Sequence, residues 1–258
     1  MKGEDSDPVA FSIVANLTAG LLIAIFSFFK GFSTTNIEHV LPNMILMAIL
    51  YGAGNVLMFR SLKLIEASQF TILFTTRVIW SIIAAIIFLH EVFLPTQFFG
   101  TALIVVGIVL VTLRSKQFKL GKGEFFVLIC SAAFGIQFIN DAAILKQVDV
   151  FFYLPLIFII PNLLVWAIFP KSTKRIVSLF TSRAVLKILL LGALFALSAT
   201  TYLLAYDVGR NAAQIASLNQ TQTIITVVAA TIILKERKDY LKKVFASVLT
   251  FLGVLLVK

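Results

Sequence analysis

Nine stretches of this chain are apolar over about the length of a transmembrane helix, and no other feature restricts its folding as much. A helix needs about 20 apolar residues to cross the hydrocarbon of a bilayer. Against that ruler the spans fall roughly at 9–29, 41–59, 67–89, 94–113, 124–145, 150–169, 188–206, 211–234 and 240–257, lettered A to I in order. Span I is the shortest in uncharged sequence, Val244 to Val257, so Lys242 and Lys243 are expected to snorkel. Pro155 and Pro161 interrupt span F, which a membrane helix tolerates better than a soluble one.

Composition agrees. Of the 258 residues 60% are hydrophobic and 13% charged, against about 25% charged in an average soluble domain. A soluble core cannot absorb that much apolar surface. The net charge of +10 would suggest nucleic acid in a soluble protein. Here it marks cytoplasmic loops, where Lys and Arg accumulate, and no nucleic-acid partner is expected. Cys130 is the only cysteine, so an intrachain disulfide and a Cys-rich metal site are excluded. His39 and His90 are far apart, and no HExxH, GxSxG or P-loop pattern occurs. The expectation is no enzyme, no cofactor and no metal. The start MKGEDSDP is acidic and unlike a secretory signal, so it is expected to be a mature terminus.

An internal repeat organises the spans. EASQFTILFTTRVIWSIIAAIIFLHE, shifted by 145 residues, falls on NAAQIASLNQTQTIITVVAATIILKE. Gln69 meets Gln214, Thr76 meets Thr221, Ala84 and Ala85 meet Ala229 and Ala230, and Glu91 meets Glu236. With one further residue of shift, span D falls on span I through Phe99/Phe245, Leu103/Leu249, Gly107/Gly253 and Val111/Val257. Apolar matches arise easily from composition; coincident Gln, Thr and Glu positions do not. C is the third span and H the eighth, so the two copies run oppositely through the membrane. Charge supports this: loops on the face holding the N-terminus carry 17 Lys and Arg, those on the other face 4, and Arg77 lies inside a span. That bias assigns loops 114–123, 171–187 and 235–243 to the cytoplasm. Inverted repeats of this kind mark secondary transporters. They are expected to occupy residues 1–114, with four helices, and 115–258, with five.

These residues resemble an EamA-type member of the drug/metabolite transporter superfamily over nearly the whole chain. The resemblance rests on a pattern present twice. A span rich in Tyr or small residues is followed by an Ala/Ser/Gln helix start, an apolar helix ending in Glu and a Gly-containing closing helix. The closing segments are LHEVFLPTQFFGTALIVVGIVLV and LKERKDYLKKVFASVLTFLGVLLV. The resemblance implies ten helices, five plus five inverted, around a central substrate cavity. It also implies export of amino acids, metabolites or drugs, or exchange of sugar nucleotides and phosphates. Three features depart from that pattern. Span E has no partner in the first half and Asp7 falls near Asp149, so the resemblance implies that a first helix is missing. The family often has proline about where Arg77 and Gln222 stand. Both termini are expected in the cytoplasm for the family, whereas the charge count puts the C-terminus outside.

Polar residues within the spans are the candidate site. A guanidinium at the centre of a membrane helix costs about 2.5–3.5 kcal/mol on insertion scales. Arg77 is therefore expected to face a wet cavity and to bind a carboxylate or phosphate, for which its permanent charge and planar fork suit it. An ion pair with Asp141 is the competing account. Gln222 holds the equivalent place in H and shares a face with Asn219 and Thr226, as Arg77 does with Ser81. Tyr51 and Asn55 lie one turn apart on B, Tyr202 lies in a polar region of G, and Gln137, Asn140 and Asp141 share a face near one end of E. Arg77, Tyr51, Asn55, Gln137, Asn140, Tyr202, Asn219 and Gln222 are the expected substrate contacts, the alternative being helix-to-helix hydrogen bonds. Asp141 is a candidate for proton coupling or a plain loop-proximal carboxylate, and Asp207 has the same two readings. Glu91 and Glu236 are expected to cap helices or line interfaces.

The expectation is thus an all-α integral membrane protein that exports a small polar metabolite, such as an amino acid, by alternating access. The alternative is a non-transporting polytopic membrane protein or an inactive truncated paralogue. The expected partners are an anionic or zwitterionic solute and membrane lipid, with a homodimer left open. The expected location is a bacterial or archaeal plasma membrane.

Overall fold

The computed structural model describes the backbone of residues 7–33, 37–89, 94–114, 117–118, 120–181, 185–209, 212–235 and 239–256. Side chains are described for the same residues except 89, 111–114, 117–118, 180–181, 203, 205–209 and 212–221. Span A forms α1 (Pro8–Lys30), B forms α2 (Ile37–Leu64), and C forms two helices, α3 (Ala67–Phe74) and α4 (Arg77–Leu89). D forms α5 (Pro95–Thr112), E forms α6 (Lys122–Leu145) and F forms α7 (Val150–Ile168). G, H and I form α9 (Val185–Gly209), α10 (Ala212–Ile233) and α11 (Tyr240–Leu256). A two-residue antiparallel ladder, β1 (Leu113–Arg114) with β2 (Gln117–Phe118), joins α5 to α6. Among the described residues, six helical stretches are long and apolar enough to cross a membrane, with α3 and α4 taken together as one of them. Parts of α5 and α10 form shorter apolar helices. The architecture is that of an all-helical, multi-pass membrane protein.

Two expectations need correction. The connection 171–187 is not all loop: it contains α8 (Ser172–Thr181), which buries Ile176 against α1 and α9 and leaves Lys174, Arg175 and Val177 exposed. Span C is not one continuous helix; it stops at Phe74 and restarts at Arg77.

Helix ends repeat as the sequence does. Asp7 caps α1, its Oδ1 accepting from the Val9 N–H at 2.9 Å. Asp149 caps α7, its Oδ1 accepting from Phe151 at 2.7 Å and Phe152 at 3.3 Å. Each cap satisfies donors that the first turn cannot, an effect of about 1 kcal/mol. At the far end of α1, Gly31 adopts φ +78°, a conformation that costs glycine nothing.

The helices pack as two compact units, residues 1–59 with 137–210 and residues 60–136 with 211–258. Each unit draws on both halves of the sequence. In the first, Val9, Ile13 and Val14 of α1 pack with Val56 of α2, Val165 of α7 and Ile188 of α9. Toward the other end of α2, Val40, Met44 and Met47 pack with Ile144, Val148 and Tyr153. In the second unit, Ile72 of α3 meets Val227 of α10 and Ala246 of α11. The pairs α1/α7, α3/α10 and α5/α11 each join a helix to its repeat equivalent.

The α5/α11 contact is reciprocal. A Cβ at Gly107 would lie 2.6 Å from Thr250 Cγ2 and 2.9 Å from the Ala246 carbonyl. A Cβ at Gly253 would lie 2.8 Å from Ile104 Cγ1 and 2.6 Å from the Gly100 carbonyl. Gly107, Gly100 and Ile104 are the repeat equivalents of Gly253, Ala246 and Thr250, so one set of contacts is the image of the other. Membrane helices associate through close packing, and residues without side-chain bulk let backbones approach. Phe28, Phe29, Leu186 and Ile233 are exposed, as lipid-facing side chains are.

Candidate functional site

In the first unit, three helices meet at one carboxylate. Asp141 stands on the last turn of α6, four residues after Gln137 and so on the same face. Its Oδ1 accepts from Gln137 Nε2 at 2.5 Å and from the Tyr153 hydroxyl of α7 at 2.5 Å. Its Oδ2 accepts from the Tyr51 hydroxyl of α2 at 2.6 Å. A second link lies beside it. Asn43 Nδ2 donates to Asn140 Oδ1 at 2.7 Å, and Asn140 Nδ2 donates to the Asn43 carbonyl at 2.8 Å and to Gln137 Oε1 at 3.2 Å. Tyr153 and Gln137 are fully buried, whereas Tyr51 and Asp141 are half-buried. A carboxylate away from bulk water survives only with such partners, and these come from α2, α6 and α7 at once.

Four expected site residues, Tyr51, Gln137, Asn140 and Asp141, therefore share one network. Asn55 is buried one turn beyond Tyr51 on α2, and Tyr202 is half-buried on α9. Sequence reasoning passed over Asn43 and Tyr153. Asn43 had a signal, since it lies two turns before Tyr51 on one face of α2; Tyr153, a lone phenol at the start of an apolar run, had none.

In the second unit the interruption of span C has a local cause. The Thr75 hydroxyl donates to the Ile72 carbonyl at 2.6 Å and the Thr76 hydroxyl to the Leu73 carbonyl at 2.8 Å. Their backbone N–H groups bond the same two carbonyls, at 3.2 and 3.1 Å. Hydroxyls that return to the backbone compete with the helical ladder, and the turn tightens there. Helical bonding resumes with Val78 donating to the Thr75 carbonyl at 3.0 Å. Arg77 thus opens α4. It is half-buried, its guanidinium carbon 4.7 Å from the centroid of the Phe74 ring. Phe74 in turn meets Phe134 of α6 edge-on at 5.4 Å. Gly135 of α6 lies against the Arg77 carbonyl and the first turn of α4, with no room for a side chain.

Gln222, the repeat equivalent of Arg77, is exposed on α10. The side chains of Asn219 and Asp207, and residues Glu91 and Glu236, lie outside the described residues.

Contacts at helix ends join segments that the charge count placed on one face. The Ser172 hydroxyl of α8 donates to Asp7 Oδ2 at 3.4 Å. Lys243 of α11 pairs with Glu66 ahead of α3, and Gln69 of α3 donates to Glu124 of α6 at 3.0 Å. Lys243 was expected to snorkel; it is buried instead, because Glu66 supplies a counter-charge that the apolar surroundings do not.

Residues 2–113, which run from the acidic start through α5, match the model of the EamA-like transporter family. Comparison with curated proteins finds no match.

Proposed function

We propose that this chain is an EamA-type membrane transporter of the drug/metabolite transporter superfamily, a reading supported by the match over residues 2–113, and that its solute is a small polar metabolite bearing a carboxylate or phosphate, such as an amino acid. The observation that carries this reading is the polar network of Tyr51, Gln137, Asn140 and Asp141 inside spanning helices. Polar groups in spanning helices are costly, and they mark solute or ion pathways. Arg77, in the second unit, is a separate candidate contact that brings a permanent positive charge to the first turn of α4. Movement by alternating access between inverted repeats at 1–114 and 115–258, export across a plasma membrane, and a transporting rather than catalytic role belong to the same proposal. The pairing of α1 with α7 and α5 with α11 supports the repeat boundary.

The test is counterflow in liposomes containing the purified chain, with radiolabelled amino acids and succinate as probes. Saturable flux of at least one is expected, and Arg77→Gln in a folded protein is expected to lower it at least tenfold. Unchanged flux in Arg77→Gln would remove Arg77 as a solute contact. No flux of any probe by the folded wild-type protein would favour a non-transporting membrane protein.

A further inference from the structure

Asp141 is a carboxylate whose surroundings hold donors and no cation. Among the described residues its partners are Tyr51 from α2, Tyr153 from α7 and Gln137 on its own helix. The two tyrosines are the titratable groups that face it from the packed elements. Neither supplies positive charge, and Lys, Arg and His are not among its partners. A negative charge in these spans has to be balanced by something that comes and goes or by permanent hydrogen bonds. A metal ion fits poorly, because hard cations want several oxygen lone pairs and the three neighbours turn hydrogens toward the carboxylate. A proton needs one lone pair only.

We propose that Asp141 is a proton-binding site, and that protonation releases α7 from the tie that Asp141 makes among α2, α6 and α7. The balance is simple: the ionised carboxyl accepts from three donors, and taking up one proton turns it into a donor itself. One oxygen then carries hydrogen, and the tyrosine that donated to it must turn its hydroxyl or withdraw. Tyr51 and Tyr153 sit on different helices, so the change alters how those helices are held. The amide pair of Asn43 and Asn140 does not titrate and keeps α2 on α6. The helix whose hold loosens is α7, which among the described residues keeps only the longer Gln137–Tyr153 contact at 3.4 Å as a polar tie to α6 here. In a transporter this is a route for coupling solute movement to a proton gradient; that purpose rests on the proposed function, but the site itself does not.

The experiment needs no solute. The full chain in lipid nanodiscs is titrated between pH 4 and 9 by infrared spectroscopy, following the carbonyl stretch of protonated carboxyl groups. Asp141→Asn is expected to delete one titrating band, and the control Asp149→Asn to keep it. Spin labels at Glu38→Cys and Gln147→Cys, with Cys130→Ala, then report the distance between the start of α2 and the approach to α7. A second, longer distance is expected at low pH in the parent protein and at every pH in Asp141→Asn, whose neutral amide imitates the protonated carboxyl. If Asp141→Asn does not fold, Tyr153→Phe keeps the carboxyl and is expected to move the pH at which its band appears. Identical spectra for parent and Asp141→Asn, pH-independent distances in the parent, or a Tyr153→Phe band that titrates as the parent does would overturn the proposal. Because neither readout involves flux, a protein that binds the proton but moves no amino acid or succinate refutes only the proposed function.

Discussion

Replacing Gly253 by alanine probes the reciprocal contact of α5 and α11 directly. The new methyl carbon would lie 2.6 Å from the Gly100 carbonyl, 2.8 Å from Ile104 Cγ1 and 2.9 Å from the Ile104 backbone nitrogen. Two of these atoms are backbone, so relief requires the helices to move apart. Overpacking of this sort costs about 1–3 kcal/mol, while alanine in a helix recovers up to about 1 kcal/mol over glycine. The net is a loss of about 1 kcal/mol, or roughly 2–4 °C in Tm by the scaling for soluble chains of this size. At Gly107 the nearest atom is a side-chain methyl, Thr250 Cγ2 at 2.6 Å. The Thr250 hydroxyl donates to the Ser247 carbonyl at 3.0 Å, which holds that rotamer in place. Gly107→Ala should therefore cost about 1 kcal/mol, and adding Thr250→Ser, which deletes the methyl, should recover most of it. Since both glycines act on one interface, Gly107→Ala with Gly253→Ala should cost less than the two separate losses. Thermal unfolding in nanodiscs measures all of these. A rise in Tm for Gly253→Ala, or no rescue by Thr250→Ser, would refute the close-approach account.

The buried pair should respond unequally to its two deletions. Glu66→Gln leaves Lys243 buried without counter-charge and is expected to destabilise by about 3 kcal/mol. Lys243→Met leaves the more exposed Glu66 near solvent and should cost well under half of that, as read by the same unfolding measurement. Asn43→Ala removes the donor to Asn140 Oδ1 and leaves the bond to the residue 43 carbonyl, and at the measured worth of interhelical hydrogen bonds in membranes should cost about 1 kcal/mol. Thr75→Ala combined with Thr76→Ala removes the hydroxyls that compete with the ladder. Amide exchange in the 75–79 segment should slow as the helix closes, and flux of amino acids should fall with it. Gly135→Ala drives a methyl group into the first turn of α4 and should lower Tm by several degrees, roughly 2–4 °C per kcal/mol lost.

Much of the fold was legible because a bilayer imposes one length and one polarity on every span. Span limits, the equivalence of C with H and of D with I, and the matching positions of Asp7 and Asp149 follow from runs of side chains in order along the chain. The structure adds that those two aspartates are both N-caps and that Gly107 and Gly253 serve one contact. Helical periodicity likewise placed Gln137, Asn140 and Asp141 on one face before any partner was known. It could not say what they meet. Asn43 and Asn140 are 97 residues apart and Tyr51 and Asp141 are 90 apart. Their union depends on how helix faces rotate and pack, which no local pattern records. The interruption at Thr75 and Thr76 was hidden for another reason: a threonine hydroxyl can bond its own helix without breaking it, and neighbours such as Gly135 determine which backbone form fits. Repeat symmetry reaches a similar limit at Arg77 and Gln222, which correspond in sequence but differ in setting. Arg77 opens a new helix against Phe74, and Gln222 is exposed within a continuous one. Only tertiary packing made that difference, because the energy of a polar group in a membrane depends on what stands beside it and not on its place in the chain.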